Sequence, residues 1–321
     1  IKSVFEKTKT DLDVEFMDSK RFYTDGNLDN FYRTIVYKLS NTEAYNVIIT
    51  SDDNALTFVL DHQAELFENI PIVFCGVNNV GKALAQNENS HVTGVIEAVS
   101  MVATLELMIG LNPDVTNIMA IVDDTPSGQG DLVTFHQNAS RFTGVAFSEI
   151  SLTGLTWAKF AQRLKKVDKQ SAVLLLSAYR DKTGHSLDFD RSLDLITENL
   201  GAPLYHLWDH GMGAGILGGK LISHFEQGKA AAGIALQIIA GKPIEEIPVL
   251  NESPNRFVFD YAELKEFGIA KSALPPKSII INEPQTFYAR YKGLIWTTAS
   301  VIAVLLLLVI LLSINVLKRR Q

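Results

Sequence analysis

The sequence has a single cysteine, Cys75, and no excess of basic residues. One cysteine excludes an intrachain disulfide, and it neither requires nor excludes an oxidising compartment. The 29 lysines and arginines are outnumbered by 36 aspartates and glutamates, which gives a net charge of −7 and an isoelectric point near 5.5. Such a chain lacks the electrostatic footprint of a nucleic-acid-binding protein, so we expect no nucleic-acid partner.

Several catalytic and cofactor motifs are also missing. The sequence contains no Walker lysine motif, no G-x-S-x-G and no H-E-x-x-H. Gly213, Gly215 and Gly218 match G-x-G-x-x-G, but four residues separate them from the apolar run that ends at Trp208, and no acidic residue follows about 20 positions on. A glycine-rich loop that approaches a ligand, or lets the chain change lobe, is the better interpretation, and we expect no cofactor.

Two pairs of residues could carry chemistry but lack the partners to do so. His206 and His210 are four residues apart, yet the segment around the first is typical of a strand and no third metal ligand is evident, so we expect no metal. Asp123 and Asp124 could act as paired carboxylates in acid–base catalysis, but at the end of a strand such groups more often cap helices. We therefore assign no catalytic residue, and an enzyme that uses the loop 123–129 is an alternative.

At its C-terminal end the chain has a long apolar run. Residues 294–317 contain no charge, and at 1.5 Å per residue they form a helix of about 36 Å. A bilayer core needs about 20 such residues, and Trp296 suits the membrane interface. We predict a connector at 285–293, a transmembrane helix at 294–317 and, because 318–321 is basic, the start of a cytoplasmic part there. Residues 1–293 would then lie outside the cytoplasm.

The preceding residues alternate short apolar runs with longer amphipathic stretches. This rhythm predicts an α/β fold with parallel sheets that are covered on both faces. The predicted strands are NVIIT (46–50), IPIVFCG (70–76), NIMAIVD (117–123), TGVAFSEI (143–150), SAVLLLS (171–177) and APLYHLW (202–208). The helical stretches include 54–68, 99–111, 153–166 and 220–240.

Polar residues follow the predicted strands at the ends where such sheets bind ligands. The clusters are 51–54, 75–79, 123–130, 178–181 and 209–211. Helix capping, worth about 1 kcal/mol, is the better interpretation for Ser51 and Asp53. Five clusters at equivalent places nevertheless indicate a cleft that suits a small polar or anionic ligand.

Three segments resemble a known family. The segments 70–124 and 202–249 resemble the periplasmic substrate-binding proteins of ABC transporters, in the branch that includes tryptophan and tyrosine binders, through IPIVF, the VTGV step and LYHLWDHGMGAGILGGKLI. The segment NRFVFDYAELKEFGIAKSALPPKSIIINEPQTFYARYK (255–292) resembles the version that is fused to a transmembrane helix in bacterial sensor proteins, chiefly histidine kinases and diguanylate cyclases. The resemblance covers nearly all of 1–292.

The resemblance implies a type I periplasmic-binding-protein fold, with two Rossmann-like lobes, three crossovers and a ligand in the cleft. The N-terminal lobe would hold 1–116 and 219–250, and the C-terminal lobe 117–218 and 251–284. Carried onto this sequence, the family's ligand contacts are Asp52, Asn78, Ser127, Tyr179, Trp208 and Asp209. The two aromatic side chains could stack on a ligand or pack in the lobe core. An amino acid, a purine-like molecule or a small carboxylate would be compatible.

The start of the chain departs from the family pattern. Residues 1–9 are typical of the back half of a helix and 14–18 of a strand, so an earlier strand and binding loop are missing, and we expect a fragment. The resemblance implies the sensor region of a bacterial inner-membrane receptor, most simply a histidine kinase, that signals by lobe closure. A diguanylate cyclase sensor region and a membrane-tethered component of an ABC transporter are alternatives. We expect a homodimer, although the apolar run has no strong seam of small residues.

Overall fold

The computed structural model describes residues 1–6, 8, 10–19, 22, 24–284 and 287–320. The chain forms two units, Ile1–Ile281 and Asn282–Gln321. The first unit contains two sheets and the helices that cover them, and the second contains one long helix.

Strands and helices alternate along the first unit. The strands are β1 Ile48–Ser51, β2 Ile72–Val77, β3 Val92–Ile96, β4 Asn117–Val122, β5 Ala146–Ser151, β6 Ser171–Leu175, β7 Leu204–Tyr205, β8 Gly218–Leu221, β9 Arg256–Asp260 and β10 Ile279–Ile281. The helices are α1 Lys2–Phe5, α2 Asp25–Asn41, α3 Asp53–Asp61, α4 Gln63–Leu66, α5 Val80–Ala85, α6 Met101–Leu111, α7 Pro126–Ala139, α8 Trp157–Leu164, α9 Phe189–Thr197, α10 His224–Ile239 and α11 Tyr261–Glu266. Short 3-10 helices lie at Gln86–Glu88, Leu152–Gly154, Ile244–Glu246 and Lys271–Ala273.

The first sheet is parallel, has the order β1-β2-β3 and is buried on both faces. In β2, Ile72 and Phe74 pack on the face that carries Leu56, whereas Val73 and Cys75 pack on the opposite face. Helix α10 covers this opposite face with Ala231, Ala232 and Ala235. Small side chains let this helix lie close to the strands. Because both faces of the strands are then buried, their sequences are apolar at successive positions rather than alternately apolar and polar.

The second sheet has seven strands in the order β10-β9-β8-β7-β6-β4-β5. Neighbouring strands are parallel except for β8 and β9, which are antiparallel. Its strands also bury both faces: Ile118 and Leu174 pack with Phe135 on one side, and Ile121 and Val173 pack on the other. The prediction of an α/β fold with parallel sheets covered on both faces is confirmed.

The chain passes from one sheet to the other three times. It leaves the first sheet through 97–100, returns through 222–223 to the helix α10, and leaves again through 251–255. Before the last passage, Leu250 forms a parallel bridge with Val95 of β3.

Hydrogen bonds tie the first and last of these passages together. The buried side chain of Gln227 donates from Nε2 to the carbonyl of Ile96 at 2.9 Å and to Ser253 Oγ at 3.0 Å. The Asn255 side chain donates to Ser100 Oγ at 2.9 Å. The three chain passages are therefore short, and two of them share one network with α10.

The predicted strand at 14–18 is wrong. The structure has no strand there, and the exposed fractions of Val14 and Phe16 are 59% and 85%. Apolar alternation forms a strand only where a partner strand and a core are available, and these two side chains have neither. The predicted helix over 1–9 is present only as α1, and residues 7 and 9 lie outside the described residues.

Several boundaries also differ. The stretch 54–68 divides into α3 and α4, and only Leu204–Tyr205 of 202–208 lies in a strand, followed by a bridge from Trp208 to Ile222. The stretch 220–240 begins as β8 before α10 starts. Because β8 pairs within the second sheet, the predicted lobe boundary between 218 and 219 falls inside a strand. The two-lobe division itself stays a prediction.

The second unit contains α12, Phe287–Arg320. Within it, Arg290–Arg319 is long and apolar enough to cross a membrane, with a mean hydropathy of 3.0 over a stretch of 18 residues, none of which is buried. The predicted connector 285–293 is therefore helical from Phe287 onward. Residues 285, 286 and 321 lie outside the described residues.

Candidate ligand-binding site

The carboxyl ends of the first sheet carry three acidic residues. Asp52 and Asp53 follow β1, and Glu97 follows β3. The Asp53 carboxylate accepts hydrogen bonds from the backbone N–H groups of Asn78 and Asn79, at 3.0 and 3.2 Å, so it fixes the loop after β2. Asp53 is thus a structural group, but the capping role that the sequence suggests for it belongs to Asp52, whose carboxylate caps α3.

Asp52 has a strained backbone. Its φ of 92° and ψ of 154° lie in a region that is essentially restricted to glycine. The carboxylate caps α3 by accepting from the N–H of Asn54 at 3.0 Å, and the Asp52 N–H donates to the carbonyl of Cys75 at 3.1 Å. Strain of this kind concentrates at functional sites, which supports the choice of Asp52 as a candidate.

Glu97 is a further candidate that the sequence interpretation missed. Glu97 is only 5% exposed, and its Oε2 has no hydrogen-bond partner among the described residues. Burial raises its pKa, and the nearby carboxylates of Asp53, Asp52 and Asp209 raise it further, whereas His224 lowers it. No pattern in the local sequence marks this residue, because the charges around it come from distant segments.

Asp123 organises the carboxyl ends of β4 and β6 in the second sheet. Its Oδ1 accepts from the N–H and hydroxyl of Thr125, at 3.0 and 2.6 Å, and from the hydroxyl of Ser177 at 2.7 Å. Its Oδ2 accepts from the N–H of Tyr179 at 2.7 Å. The neighbouring Asp124 pairs with Arg180, at 3.0 Å from Nε and 2.9 Å from Nη2.

These contacts leave neither carboxylate of the 123–129 loop free for acid–base work. Burial alone raises the pKa of Asp123, but the hydrogen bonds from Thr125, Tyr179 and Ser177 outweigh it and hold the pKa below its usual value. A group in this state is a permanent acceptor that shapes the loop, and the geometry gives no support to the alternative of an enzyme.

Aromatic rings form a continuous cluster beside this loop. The Phe189 ring lies 6.3 Å from Tyr179, 5.8 Å from His206 and 4.4 Å from His210, measured between ring centroids. The Trp208 ring lies 5.4 Å from His206. Tyr179 is 37% exposed and Trp208 is partly buried, so both aromatic candidates join one cluster that reaches the surface.

The two histidines of this cluster are neutral. Nδ1 of His206 lies 2.8 Å from the carbonyl oxygen of Leu175 and must donate to it, which leaves Nε2 as an acceptor 3.3 Å from Nε2 of His210. Burial lowers the pKa of His206 to about 3, with a smaller contribution from His210, and burial also lowers the pKa of His210. Among the described residues, no group of three acidic, histidine or cysteine side chains could hold a metal ion.

Asp209 connects this cluster to the acidic residues of the first sheet. Its N–H donates to the carbonyl of Ile222 at 3.0 Å, at one of the chain passages. Its carboxylate Oδ1 lies 3.9 Å from Nδ1 of His224, the first residue of α10. Asp209 also acts electrostatically on Glu97, so residues from both sheets meet in one region.

The structure thus relates four of the six predicted site residues. Asp52 and Asp209 both act on Glu97, and Tyr179 and Trp208 belong to one aromatic cluster. Asn78 is exposed after the end of β2 and Ser127 is exposed at the start of α7, and within the described part of the chain neither side chain is seen to contact the other four residues. All six assignments stay predictions.

The glycine-rich loop 213–218 takes the conformation that its composition allows. Gly213, Gly215 and Gly218 have φ values of 92°, 93° and 153°. An added Cβ at Gly218 would lie 2.3 Å from the carbonyl oxygen of Val258, so glycine is needed for the close pairing of β8 with β9. The loop connects β7 to β8 within the second sheet, so the chain does not change sheet there, and the turn explains the motif without a dinucleotide.

A surface groove of about 740 Å³ lies away from these residues. It is lined by residues such as Ser90, Val92 and Pro248, which lie near the amino end of β3. In open α/β sheets ligands bind at the carboxyl ends of the strands, so we place the candidate site at Glu97 and the aromatic cluster rather than in this groove.

Comparison with known proteins supports the fold. No family model and no curated protein matches the sequence. The ligand-free, open structure of a substrate binding protein with adhesive properties from Clostridium difficile matches 84% of this chain and 92% of its own, with 15% identity and a TM-score of 0.59. A conserved domain protein from Vibrio cholerae matches 80% of this chain and 84% of its own, with 16% identity and a TM-score of 0.51. The chain therefore has the fold of a substrate-binding protein, as the resemblance implied.

Proposed function

We propose that the first unit binds a small molecule between its two sheets, at the carboxyl ends of their strands. The observation that carries this proposal is that Asp209, from the second sheet, lies 3.9 Å from His224 at the start of α10, the helix that covers the first sheet, while Asp52 and Asp209 both act electrostatically on the buried Glu97. The exposed edge of the aromatic cluster supplies apolar surface beside these charges, and sites of this kind combine apolar walls with a few polar groups. The substrate-binding-protein fold supports the same function.

The binding unit belongs, in this proposal, to a bacterial membrane receptor. Helix α12 runs without a break from Phe287 through the apolar segment, and five residues, 282–286, separate it from the end of β10 at Ile281. A transport component needs only a tether, whereas a receptor needs a stiff connection to an output module. Our proposal is a histidine kinase sensor, and a diguanylate cyclase sensor would use the same connection.

Signalling would follow from lobe closure on the ligand. The two lobes would be 1–116 with 219–250 and 117–218 with 251–284. The residues that contact the ligand would be Asp52, Asn78, Ser127, Tyr179, Trp208 and Asp209. A ligand shifts an open–closed equilibrium only by its difference in affinity for the two states. A shift from mostly open to mostly closed needs about 5.5 kcal/mol, which is reasonable for a small molecule enclosed between two lobes.

The binding function is tested by thermal unfolding of the whole chain in lipid nanodiscs. The panel contains amino acids, nucleobases and small carboxylates, and each compound is recovered and analysed after incubation. A ligand at 100 times its Kd adds about 2.7 kcal/mol, enough to raise the midpoint by about 2 °C or more. A shift with unchanged ligand supports a binding unit, turnover would support an enzyme, and a panel without any shift would refute the proposal.

The orientation is tested by labelling cysteines in intact cells with a membrane-impermeant maleimide. The native Cys75 is buried, so the folded protein offers little background reaction. A cysteine at the exposed Ser140 is expected to react in intact cells, because 1–293 would be extracytoplasmic. A cysteine added after Gln321 is expected to react only in permeabilised cells, because Lys318 and Arg319 favour the cytoplasmic side. The opposite pattern would reverse the proposed topology.

A further inference from the structure

The environment of Glu97 contains information about the chemistry of the ligand. We propose that the ligand carries a positively charged nitrogen and that the Glu97 carboxylate pairs with it. This inference rests on the binding function proposed above, and it selects one of the ligand classes that the sequence leaves open.

Glu97 is a buried carboxylate with an unused oxygen. Its backbone N–H donates to the carbonyl of Val77 at 3.0 Å, which fixes the residue directly after β3. The residue is 5% exposed and Oε2 has no partner within the described part of the chain. Nearly all buried polar atoms in proteins have a hydrogen-bond partner, and one that lacks it at a strand end of a binding fold calls for a ligand group.

The charges around Glu97 specify the sign of that group. The carboxylates of Asp52, Asp53 and Asp209 all disfavour a negative charge on Glu97, whereas His224 favours it. These neighbours come from the end of β1, from α3, from the segment after β7 and from α10. An anionic ligand would add one more negative charge to four carboxylates, whereas a cation would be attracted by all of them.

Three of the protein's cations are engaged by other partners. Lys82 donates to Thr57 Oγ1 at 2.5 Å. Two arginines pair with carboxylates other than Glu97, Asp52, Asp53 and Asp209, through Arg180–Asp124 and Arg256–Glu226. Each of these cations therefore has a partner of its own.

The remaining alternative is a neutral ligand that accepts a hydrogen bond from protonated Glu97. Of the ligand classes compatible with the sequence, a purine-like molecule would fit this alternative, a small carboxylate fits neither, and an amino acid carries the ammonium group that the proposal requires. A ligand that keeps its shape but loses its ammonium group separates the two possibilities.

The test uses the whole chain in lipid nanodiscs and measures binding of the 20 common amino acids, of their N-acetyl derivatives and of uncharged nucleobases. N-acetylation removes the positive charge and keeps the side chain and the carboxylate. We expect at least one amino acid to raise the unfolding midpoint and its N-acetyl derivative to have no effect.

Glu97→Gln is expected to weaken binding of that amino acid at least tenfold, and Glu97→Asp to retain part of the affinity. The control Glu106→Gln makes the same change at an exposed site on α6 and should leave the affinity for that amino acid unchanged.

A second readout does not depend on finding a ligand. Burial and the carboxylates raise the pKa of Glu97, so its negative charge destabilises the ligand-free fold. This destabilisation is absent below the ordinary glutamate pKa, and it appears as the pH rises through the raised pKa of the folded protein. Glu97→Gln should therefore raise the unfolding midpoint at pH 8 and leave it nearly unchanged at pH 4.

The outcomes separate this inference from the binding function. Equal binding of an amino acid and its N-acetyl derivative, or undiminished binding by Glu97→Gln, would overturn the inference and leave the binding function intact. A Glu97→Gln protein that is less stable than wild type at pH 8 would make Glu97 a structural group and would also overturn it. If no compound of any charge binds the wild type, the binding function and the inference fail together.

Discussion

At the scale of single residues, Asp52 has a backbone conformation that residues with a Cβ rarely adopt. The φ and ψ of 92° and 154° cost of the order of 1–3 kcal/mol for a residue with a Cβ. The backbone is also close to Gly76, where an added Cβ would lie 3.4 Å from the Asp52 nitrogen. The carboxylate caps α3, and this hydrogen bond offsets part of the cost of the strain.

We predict that Asp52→Gly is at least as stable as wild type. Its free energy of unfolding should exceed that of Asp52→Ala by about 1 kcal/mol or more. Glycine removes the strain and costs only a few tenths of a kcal/mol as a helix cap, whereas alanine keeps the strain and loses the cap. Thermal unfolding followed by tryptophan fluorescence measures the order of the three proteins. If Asp52→Gly is the least stable of them, the backbone at this position is not strained.

Asp123 contributes stability that depends on pH in a defined direction. Its folded pKa is lowered because the hydrogen bonds from Thr125, Tyr179 and Ser177 outweigh the effect of burial. A lowered carboxyl pKa gives stability that is complete above the unfolded pKa of about 3.9 and is lost as the pH falls through the folded pKa. The stabilisation therefore applies at neutral pH and fades only below about pH 4.

We predict that Asp123→Asn lowers the free energy of unfolding by about 1–3 kcal/mol at pH 7, because the new amide donor faces groups that already donate. The difference from wild type should be constant above about pH 5 and should shrink towards pH 3. Unfolding midpoints across this range measure it, with the exposed Asp114→Asn as a control of equal charge change. A difference that grows as the pH falls would contradict the assigned role of Asp123.

At the scale of secondary-structure elements, two glycines in the first sheet and its covering helix have opposite roles. An added Cβ at Gly94 of β3 would lie 2.3 Å from the carbonyl oxygen of Phe74, so β2 and β3 approach closely only because this residue is glycine. An added Cβ at Gly233, inside α10, meets no atom within 4 Å. The same substitution is therefore expected to act in opposite directions.

We predict that Gly233→Ala raises the free energy of unfolding by up to about 1 kcal/mol, since alanine is the better helix former. Gly94→Ala should lower the free energy of unfolding by more than that gain, because β2 and β3 must move apart. Denaturant unfolding of both proteins measures the two effects, and each variant is the control for the other. Equal signs would mean that the packing at Gly94 is looser than the structure indicates.

The elements that the sequence predicted correctly are those whose residues carry the signal themselves. β2, β4 and β6 are continuous apolar runs, and burial on both faces leaves no other place for them. β8, with the sequence GGKL, has no apolar pattern and becomes a strand through its pairing with β9. The wrong strand at 14–18 shows the converse, since its alternation is real but no partner strand is available.

The candidate site was predictable to the same extent. The polar residues after the strands could be found because the edge of a parallel sheet collects them, whatever the details of packing. Glu97 could not be found in this way, because one glutamate after a strand is an ordinary surface pattern. Its burial and its acidic surroundings arise only when segments near 52, 97, 209 and 224 come together.

At the scale of the whole molecule, the two sheets of the first unit are linked by three short passages, which are the natural places for a hinge. Gln227 joins the carbonyl of Ile96 to Ser253, so two passages would bend about one hydrogen-bonded point. The Glu97 group lies beside the same passages, and a ligand bound there would contact both sides of the hinge. Small rotations at such points produce domain closure without changes inside the sheets.

We predict that a bound ligand shortens the distance between spin labels at Ala85→Cys and Lys182→Cys by more than about 2 Å, the scale of a domain rearrangement. Both positions are exposed, the first on α5 beside the first sheet and the second in the loop after β6, and the native cysteine is buried. A control pair at Ala85→Cys and Arg33→Cys lies on helices that cover the first sheet only, and its distance should stay constant. Double electron–electron resonance on the whole chain measures both pairs with and without the amino acid that gives the largest thermal shift. A ligand that stabilises the protein but leaves both distances unchanged would keep the binding function and exclude closure as the signal.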